Sequence, residues 1–488
     1  MAPQNPSIQS FFSSSKPTNP PSSPSSAIPG DGFTPQEVDA VLLPTIDESW
    51  MPAQEYEEVE IASLIPGPRC VTLQGRIANF YDQATPSKKP RAAKGCVKVI
   101  IKDESGAVTV RLWYANMAYH LRLGQLVSLW TPHVSNGEHG TLSSAQAPLF
   151  TSIFPERDRS CHFMIHENSD NGEKCKKPLG YRNGQALPGL MTLKNFIDGG
   201  YDVTDGRILV CVKSIGAKKK ITNKKNVSSE LISVNVFDDT SDATLTLWDT
   251  AIASATTWKP SHTILLITNP GWRIDKRAYI NCTANTLIDV DPTMPDADWL
   301  RNFAQRMIRR EHVNPPFPYT TFDFAIMSTA VNQILYTFAD IDEFARAAPS
   351  GQFFGYISVV IMELNIMTLY RRNMLLCNEH CGHPIYADTV TTKCKQCDKP
   401  VTLNINPKVL GAVVDETGCS TAGKVLLSEQ AWAELLGRTK EELVGSNVEV
   451  LKYLEQRLLF LRVTLRFAWA AEEGEGGMGR LCIWGVKM

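Results

Sequence analysis

One order of parts occurs twice in this chain of 488 residues, and it leaves few folds open. Val71–Asn79 has the apolar alternation of a strand, and a basic loop with Lys88, Lys89, Arg91 and Lys94 follows it. Then come a strand at Cys96–Asp103, a turn at Glu104-Ser105-Gly106, a strand at Val108–Trp113 and another at Leu126–Thr131. The second copy runs from a strand at Arg207–Ser214 through a loop with Lys218, Lys219, Lys220, Lys224 and Lys225. Strands at Leu231–Phe237, Ala243–Trp248 and Thr263–Thr268 complete it, with a turn at Asp238–Asp242. Short strands between polar turns predict an all-β barrel or sandwich, and the repeated order predicts duplicated modules.

A third β-rich block fills the C-terminal part. The predicted division is a tail at 1–52, a first module at 55–155, a connector at 156–189, and a second module at 190–292. A helical connector at 293–349 and a third module at 350–488 complete it. A chain this long exceeds a single core. The tail is rich in Ser and Pro and cannot bury a core, so it is expected to be disordered. No apolar run is long enough to span a bilayer; the best candidate, Tyr356 to Leu369, is broken by Glu363, Asn365 and Thr368 and reads as a buried strand. The formal net charge is −2, so any binding to a polyanion must come from local basic patches.

The third block carries the most specific motif, Cys377-x3-Cys381-x12-Cys394-x2-Cys397. Two close thiol pairs joined by a hairpin are the spacing of a four-thiolate zinc ribbon at 377–397, a closed site with no open position for water. His380 and His383 flank Cys381 and are alternative donors. Cys161, His162, His166 and Cys175 form a looser, irregularly spaced group in the first connector.

These residues resemble a known family. Val97–Lys102 with Asp103-Glu-Ser-Gly106, then Val108–Trp113, is similar to the first DNA-binding oligonucleotide-binding (OB) barrel of the replication protein A large-subunit family. Ala243–Trp248 resembles the matching strand of its second barrel, and Asp291–Arg301 the segment that leaves it. In that family a zinc ribbon interrupts the third barrel just after its first strand, the place that Gln352–Asn365 gives it here. The resemblance covers about residues 55 to 488. It implies a mainly β chain of three tandem OB barrels with helical connectors and one structural Zn2+. It further implies a nuclear, non-catalytic binder of single-stranded DNA in replication, repair or recombination. The family's N-terminal interaction barrel and terminal assembly helix have no counterpart, which points to a paralogue of the subunit, of the kind that serves meiosis. Another OB-fold subunit is an expected partner.

In the family the strand ending at Trp113 or Trp248 carries a base-stacking aromatic. Alternation sets Trp113 opposite Val108, Val110 and Leu112, and Trp248 opposite Leu245 and Leu247, on an outer face in each case. Trp272 and Tyr279 are further stacking candidates, with Arg273 and Arg277 beside them for phosphate. Lys88, Lys89, Arg91 and Lys218–Lys220 lie in loops expected to flank the binding face. No second stacking aromatic is evident in the first module around Gly137–Ser144.

Two further readings remain. In the tail, Asn5-Pro-Ser-Ile8-Gln-Ser-Phe11-Phe12 resembles a sliding-clamp-interacting motif, with Asn5 where that motif has glutamine and Ile8, Phe11 and Phe12 as its apolar plugs. A scaffold held on the clamp, with little affinity for DNA, is therefore an alternative. Asp238, Asp239 and Asp242 could hold magnesium for nuclease chemistry, although a charged β-turn accounts for the same residues.

Overall fold

The computed structural model describes residues 50–488 apart from 53, 83–92, 118, 138–145, 168, 223–227, 275–277, 309–316, 330–333, 349–350, 471–478 and 488. Its strands close three five-stranded rings of one topology. In the first, Gly67–Asp82, Gly95–Lys102 and Ala107–Tyr114 pair antiparallel in sequence. Leu149–Ile153 then adds parallel to the third strand, and Leu126–Asn136 closes the ring between it and the first. This order, one-two-three-five-four and back to one, is the OB barrel. His162–Ile165 pairs outside the fourth strand as a sixth.

The second ring repeats the order with Arg207–Ile215, Ser228–Phe237 and Asp242–Trp248, then Ala278–Asn281 parallel to the third. Its fourth strand is split at Asn269-Pro270 into Ile264–Thr268 and Gly271–Ile274. Asn269 takes the left-handed conformation, and proline cannot donate to a ladder, so the strand must break there. Leu287–Val290 is again an outer sixth strand.

The third ring has Gln352–Ile361 as its first strand, then Val413–Val414, Cys419–Ser420 with Val425–Leu427, Arg462–Ala470 and Arg480–Lys487. The cysteine-bearing hairpins are inserted between its first and second strands, and helices Glu429–Leu436, Lys440–Val444 and Val448–Leu458 lie between its third and fourth. Between the second and third rings lie helix Pro295–Ile308 and two further helices, Phe324–Thr329 and Phe338–Ala347, on either side of a short strand at Leu335–Tyr336.

Inward residues follow the alternation read from the sequence. Val99, Ile101, Val108, Val110 and Leu112 are sealed in the first barrel, Leu245, Leu247, Leu265 and Ile267 in the second, and Ile357, Val359, Leu465 and Phe467 in the third. Each such side chain contributes about 1.5–3 kcal/mol by leaving water.

Each ring also bears the same polar clamp at its second turn. Asp103 Oδ1 accepts from Ser105 N, Ser105 Oγ and Gly106 N, while its Oδ2 accepts from Ile61 N. Asp238 Oδ1 accepts from Thr240 N, Thr240 Oγ1 and Ser241 N, and Oδ2 from Leu193 N. Asp415 does the same with Thr417 N, Thr417 Oγ1, Gly418 N and Phe338 N. In every case the hydroxyl two residues on accepts one more N–H, from Ala62, Lys194 or Ala339. A carboxylate is needed because a single short side chain must accept four donors, three from its own turn and one from the incoming helical segment.

The first two barrels are fused. Lys102 Nζ lies 2.6 Å from Asp289 Oδ1, with the lysine side chain 1% exposed. Asn79 Nδ2 donates to Thr283 O and Thr286 O, and Leu123 N donates to Ser254 Oγ. Gly124 has a φ of +79°, and a Cβ there would lie 2.8 Å from the Val290 Cβ, so the backbones meet where only glycine fits. One apolar cluster runs from Ile61 in the first barrel to Ile288 in the second.

Asp238→Ala should cost about 1–3 kcal/mol, because it strands donors that have no other partner; urea unfolding of the chain measures it. Burial pulls the Asp415 carboxyl up, but its four donors outweigh that and hold it below the ordinary carboxylate range. Its depressed pKa makes that stabilisation complete above about pH 4 and lost as pH falls further. Asp415→Asn should therefore flatten the acid limb of the stability curve.

Candidate nucleic-acid interface and metal centre

The outer face of the second barrel is polar and open. Antiparallel pairing puts Lys219 opposite Leu231 and Leu231 opposite Trp248, so the three stand in one row across three strands. Trp248 is 42% exposed. A second row, about 13 Å along the strands, holds Asn235, Thr244, Tyr279 and Arg273. The Arg273 guanidinium lies 4.8 Å from the Tyr279 ring centre. Between the hairpins lies a groove of about 560 Å³ lined by Lys213, Ser214, Asn235, Asp242 and Thr244. Its floor is prearranged: Asn235 Nδ2 donates to Ser214 Oγ, and Thr244 Oγ1 donates to Asn235 Oδ1. Lys219 and Lys220 are exposed on the strand Lys219–Thr222, and Lys218 is paired with Glu230 at 2.5 Å.

Trp272 stands apart from this face. It pairs with Ile280, so it points away from Arg273 and Tyr279, and its ring lies 3.9 Å from that of Tyr201. It is 43% exposed on that other side.

The first barrel corrects the expectation for Trp113. Its side chain does point outward, as alternation requires, but it is only 2% exposed. It packs with Ala93, Cys96, Ala115 and Phe154, and its indole N–H donates to Ser152 Oγ at 2.9 Å. Trp113 cannot stack on a base in this conformation, because the outer face of its strand is itself covered. What that face holds instead is charge. Lys98 and Arg111 are register partners and both less than a tenth exposed. Lys98 Nζ lies 5.6 Å from the Tyr81 ring and Arg111 Cζ 5.5 Å from Phe150. Burial, with Arg111 beside it, pushes the Lys98 ammonium below its ordinary range. Nε and Nη2 of Arg111 have no hydrogen-bond partner. Two like charges opposed across a ladder are unfavourable unless an anion joins them. Both residues sit on the outward positions of strands that the sequence identifies, a signal that reading for loops passes over.

Lys88, Lys89, Arg91, Arg277, Ile8, Phe11 and Phe12 lie outside the described residues.

Among the described residues one group of side chains can hold a metal ion: His380, Cys381, Cys394 and Cys397, whose donor atoms all lie within 4.8 Å of one another. His380 therefore takes the place expected of Cys377. The reason is strand geometry. Cys377 lies in the extended strand Leu376–His380, paired with Tyr386 and Asn404. Three steps of extended strand, about 10 Å, separate it from His380 at the turn, and its thiol is buried. His380 and His383 close the hairpin around Cys381-Gly382, both at positive φ, which turns Cys381 and His380 toward the opposite knuckle. There Asp398 N donates to Cys394 O and Cys394 N to Lys399 O. The N–H groups of Cys397 and Gln396 hold the Cys394 thiol below its ordinary range, while Cys397 and Cys394 push the Cys381 thiol up to about 11. Cys161, His162, His166 and Cys175 do not converge: His166 is held by Ser128 and Ser169, and Cys161 donates to Asp158 O.

The three carboxylates considered for a nuclease are each engaged elsewhere. Asp238 is the clamp of its turn, Asp239 pairs with Lys424, and Asp242 with Lys213. The turn accounts for them.

No family model matches the sequence, and no curated protein matches it. Among solved structures, the chain is similar to a replication protein A heterotrimer bound to single-stranded DNA, at 12% identity over 88% of this chain and 95% of that one, with a TM-score of 0.36. It is also similar to fission yeast Pot1 with single-stranded DNA, at 12% identity over 53% of this chain and 95% of that one, TM-score 0.19. The second OB-fold domain of replication protein A from Methanococcus maripaludis matches at 17% identity over 23% of this chain and 93% of that one, TM-score 0.15.

Metal analysis separates the two ligand sets. Cys377→Ser should keep one equivalent of bound metal per chain, and Cys397→Ser should lose it; the reverse result would restore Cys377 to the site.

Proposed function

We propose that the chain is a non-catalytic single-stranded nucleic-acid-binding protein, with the second barrel as its main contact. The observation that carries this is the row Lys219–Leu231–Trp248: a cation, an apolar floor and an open indole in register on one face. An exposed indole accepts an unpaired base, and the lysine beside it meets the phosphate. Tyr279 with Arg273 forms a second such station, and the groove beside it offers Asn235 and Thr244 to a base edge. The first barrel contributes cations, Lys98 and Arg111, rather than an aromatic platform.

The metal is zinc, held by His380, Cys381, Cys394 and Cys397. Three thiolates and an imidazole suit zinc, and four protein ligands make the site structural. The ribbon it fixes is an insertion of the third barrel. The chain acts in the nucleus in the manner of a replication protein A large-subunit paralogue, in replication, repair or meiotic recombination. Residues Asn5 to Phe12 engage the sliding clamp, and another OB-fold subunit is a partner. A second reading, a scaffold with little affinity for DNA, is favoured by the covered face around Trp113.

Titration with single-stranded against duplex oligonucleotides at two salt concentrations decides between them. Trp248→Ala should weaken single-strand binding by about 1–3 kcal/mol, while Trp272→Ala should change it far less. Lys219→Ala should reduce the steepness of the salt dependence. Unmeasurable wild-type affinity with intact clamp binding would establish the scaffold.

A further inference from the structure

The third barrel bears a second cationic face, on strands that the second barrel uses differently. In the second barrel, the outward residues of the first and fourth strands are Leu209, Cys211, Ile264 and Leu266. All four are buried under helix Pro295–Ile308 through Ala297, Leu300 and Ala304. The same positions in the third barrel are Tyr356, Ser358, Arg462, Thr464 and Arg466, with Lys487 on the neighbouring fifth strand. An apolar helix cannot cover such a surface without stranding charges.

Only the near end of this face follows the apolar plan. There Ala468 and Cys482 pack with Phe322 and Met327, and Phe324 approaches Trp484. Beyond that point the cations begin. Register puts Arg466 beside Tyr356 and Lys487 beside Thr464, with Arg462 one full row further. The Arg466 guanidinium lies 5.2 Å from the Trp484 ring centre, and Lys487 Nζ 5.5 Å from that of Tyr356. Gly485 makes room for this: a Cβ there would lie 3.1 Å from Arg466 Cδ. Arg466 Nε is buried without a hydrogen-bond partner, and Arg462 reaches only Ser358 Oγ, at 3.4 Å. Among the described residues none of the three cations forms an ion pair. Glu434, which also approaches Gly485, accepts from Val486 N and Gln430 Nε2 instead.

We infer that this face is a phosphate-tracking surface for the same single strand that the second barrel holds. Arg462 and Arg466 are about 13 Å apart along their strand, too far to share one anion, so the partner is an extended polyanion with repeated charges. Guanidinium forks pair with phosphate oxygens, and arginine planes also accept unstacked bases. The third barrel is held to the second by the Lys424–Asp239 pair and by the bidentate Arg346–Asp296 pair, so a strand engaged on one barrel is presented to the other at fixed distance. The inference rests on single-strand binding by the second barrel, and its test separates the two.

Oligonucleotides of increasing length are titrated against the full chain and against Arg462→Gln/Lys487→Gln, with bound metal confirming the fold; Arg466→Gln is a second, independent variant. Short strands that fill only the second barrel should bind equally to all. Longer strands should lose affinity for the variants, and the slope of log affinity against log salt should fall by about 0.7 for each cation removed. An unchanged slope at every length would overturn this face while leaving the second barrel intact. A wild-type chain that binds no strand at all would remove both. Polyglutamate binding that depends on Arg466, with single-strand binding unaffected, would assign the face to an acidic protein and overturn the inference.

Discussion

A carboxylate at the second turn of each barrel, buried or half-buried among four donors, sets the frame on which everything else is mounted. Asp103, Asp238 and Asp415 each gather three donors from their own turn and one from the residue that opens the preceding helical segment. Removal would leave four donors short of an acceptor at once, a loss no neighbouring group is placed to make good. The consequence is positional. The clamp ties the second-to-third-strand hairpin to the segment that enters the first strand in all three barrels.

On that common frame the faces diverge by side chain and, in the third barrel, by the insertion between its first and second strands. In the second barrel the outward row is left open, with Trp248 and Lys219 on either side of Leu231. In the first barrel the equivalent tryptophan is sealed by Ala93, Cys96 and Phe154, and Lys98 and Arg111 occupy the outward positions. The first two barrels are joined through Lys102–Asp289, a pair whose lysine is almost fully buried. Breaking one partner of such a pair typically costs about 3–5 kcal/mol, because the other charge is left in a low-dielectric site. The pair gives little net stability in compensation. What it does secure is relative orientation, so the open face and the cationic face act as parts of one rigid body.

Much of this was legible in the sequence, for identifiable reasons. Alternation in Val108–Trp113 and Ala243–Trp248 marked both strands and assigned each tryptophan to the outer face, correctly in both cases. It could not tell that one outer face is covered, since cover comes from Ala93 and Phe154, residues remote from the pattern. The paired cysteines located the metal hairpins. The assignment of Cys377 failed because a C-x3-C spacing was read as a knuckle, whereas Leu376–His380 is extended and a two-residue turn brings His380 forward. The strand-borne cations Lys98, Arg111, Arg462 and Arg466 went unnoticed, although each is an outward position on an alternating strand. The third clamp, Asp415-Glu-Thr417-Gly418, repeats the turn at Asp103–Gly106 almost residue for residue, and no other local signal places the short second strand of the third barrel.

The charge balance shows why position matters more than total. With a net charge of −2 the chain has no long-range attraction for a polyanion. At physiological salt, fields between exposed groups fade within about 8 Å. On the proposed reading, Lys219, Arg273, Lys98, Arg111, Arg462 and Arg466 act on a strand only where it touches them. All of them lie on or beside aromatic or apolar floors, where water is thinned and each contact is worth more than in bulk solvent. A chain built this way does not concentrate nucleic acid around itself. Under the single-strand binding proposed above, such a surface favours an unpaired strand, which can lay bases on an indole and phosphates on a nearby lysine together, over a duplex, which offers its phosphates but keeps its bases stacked.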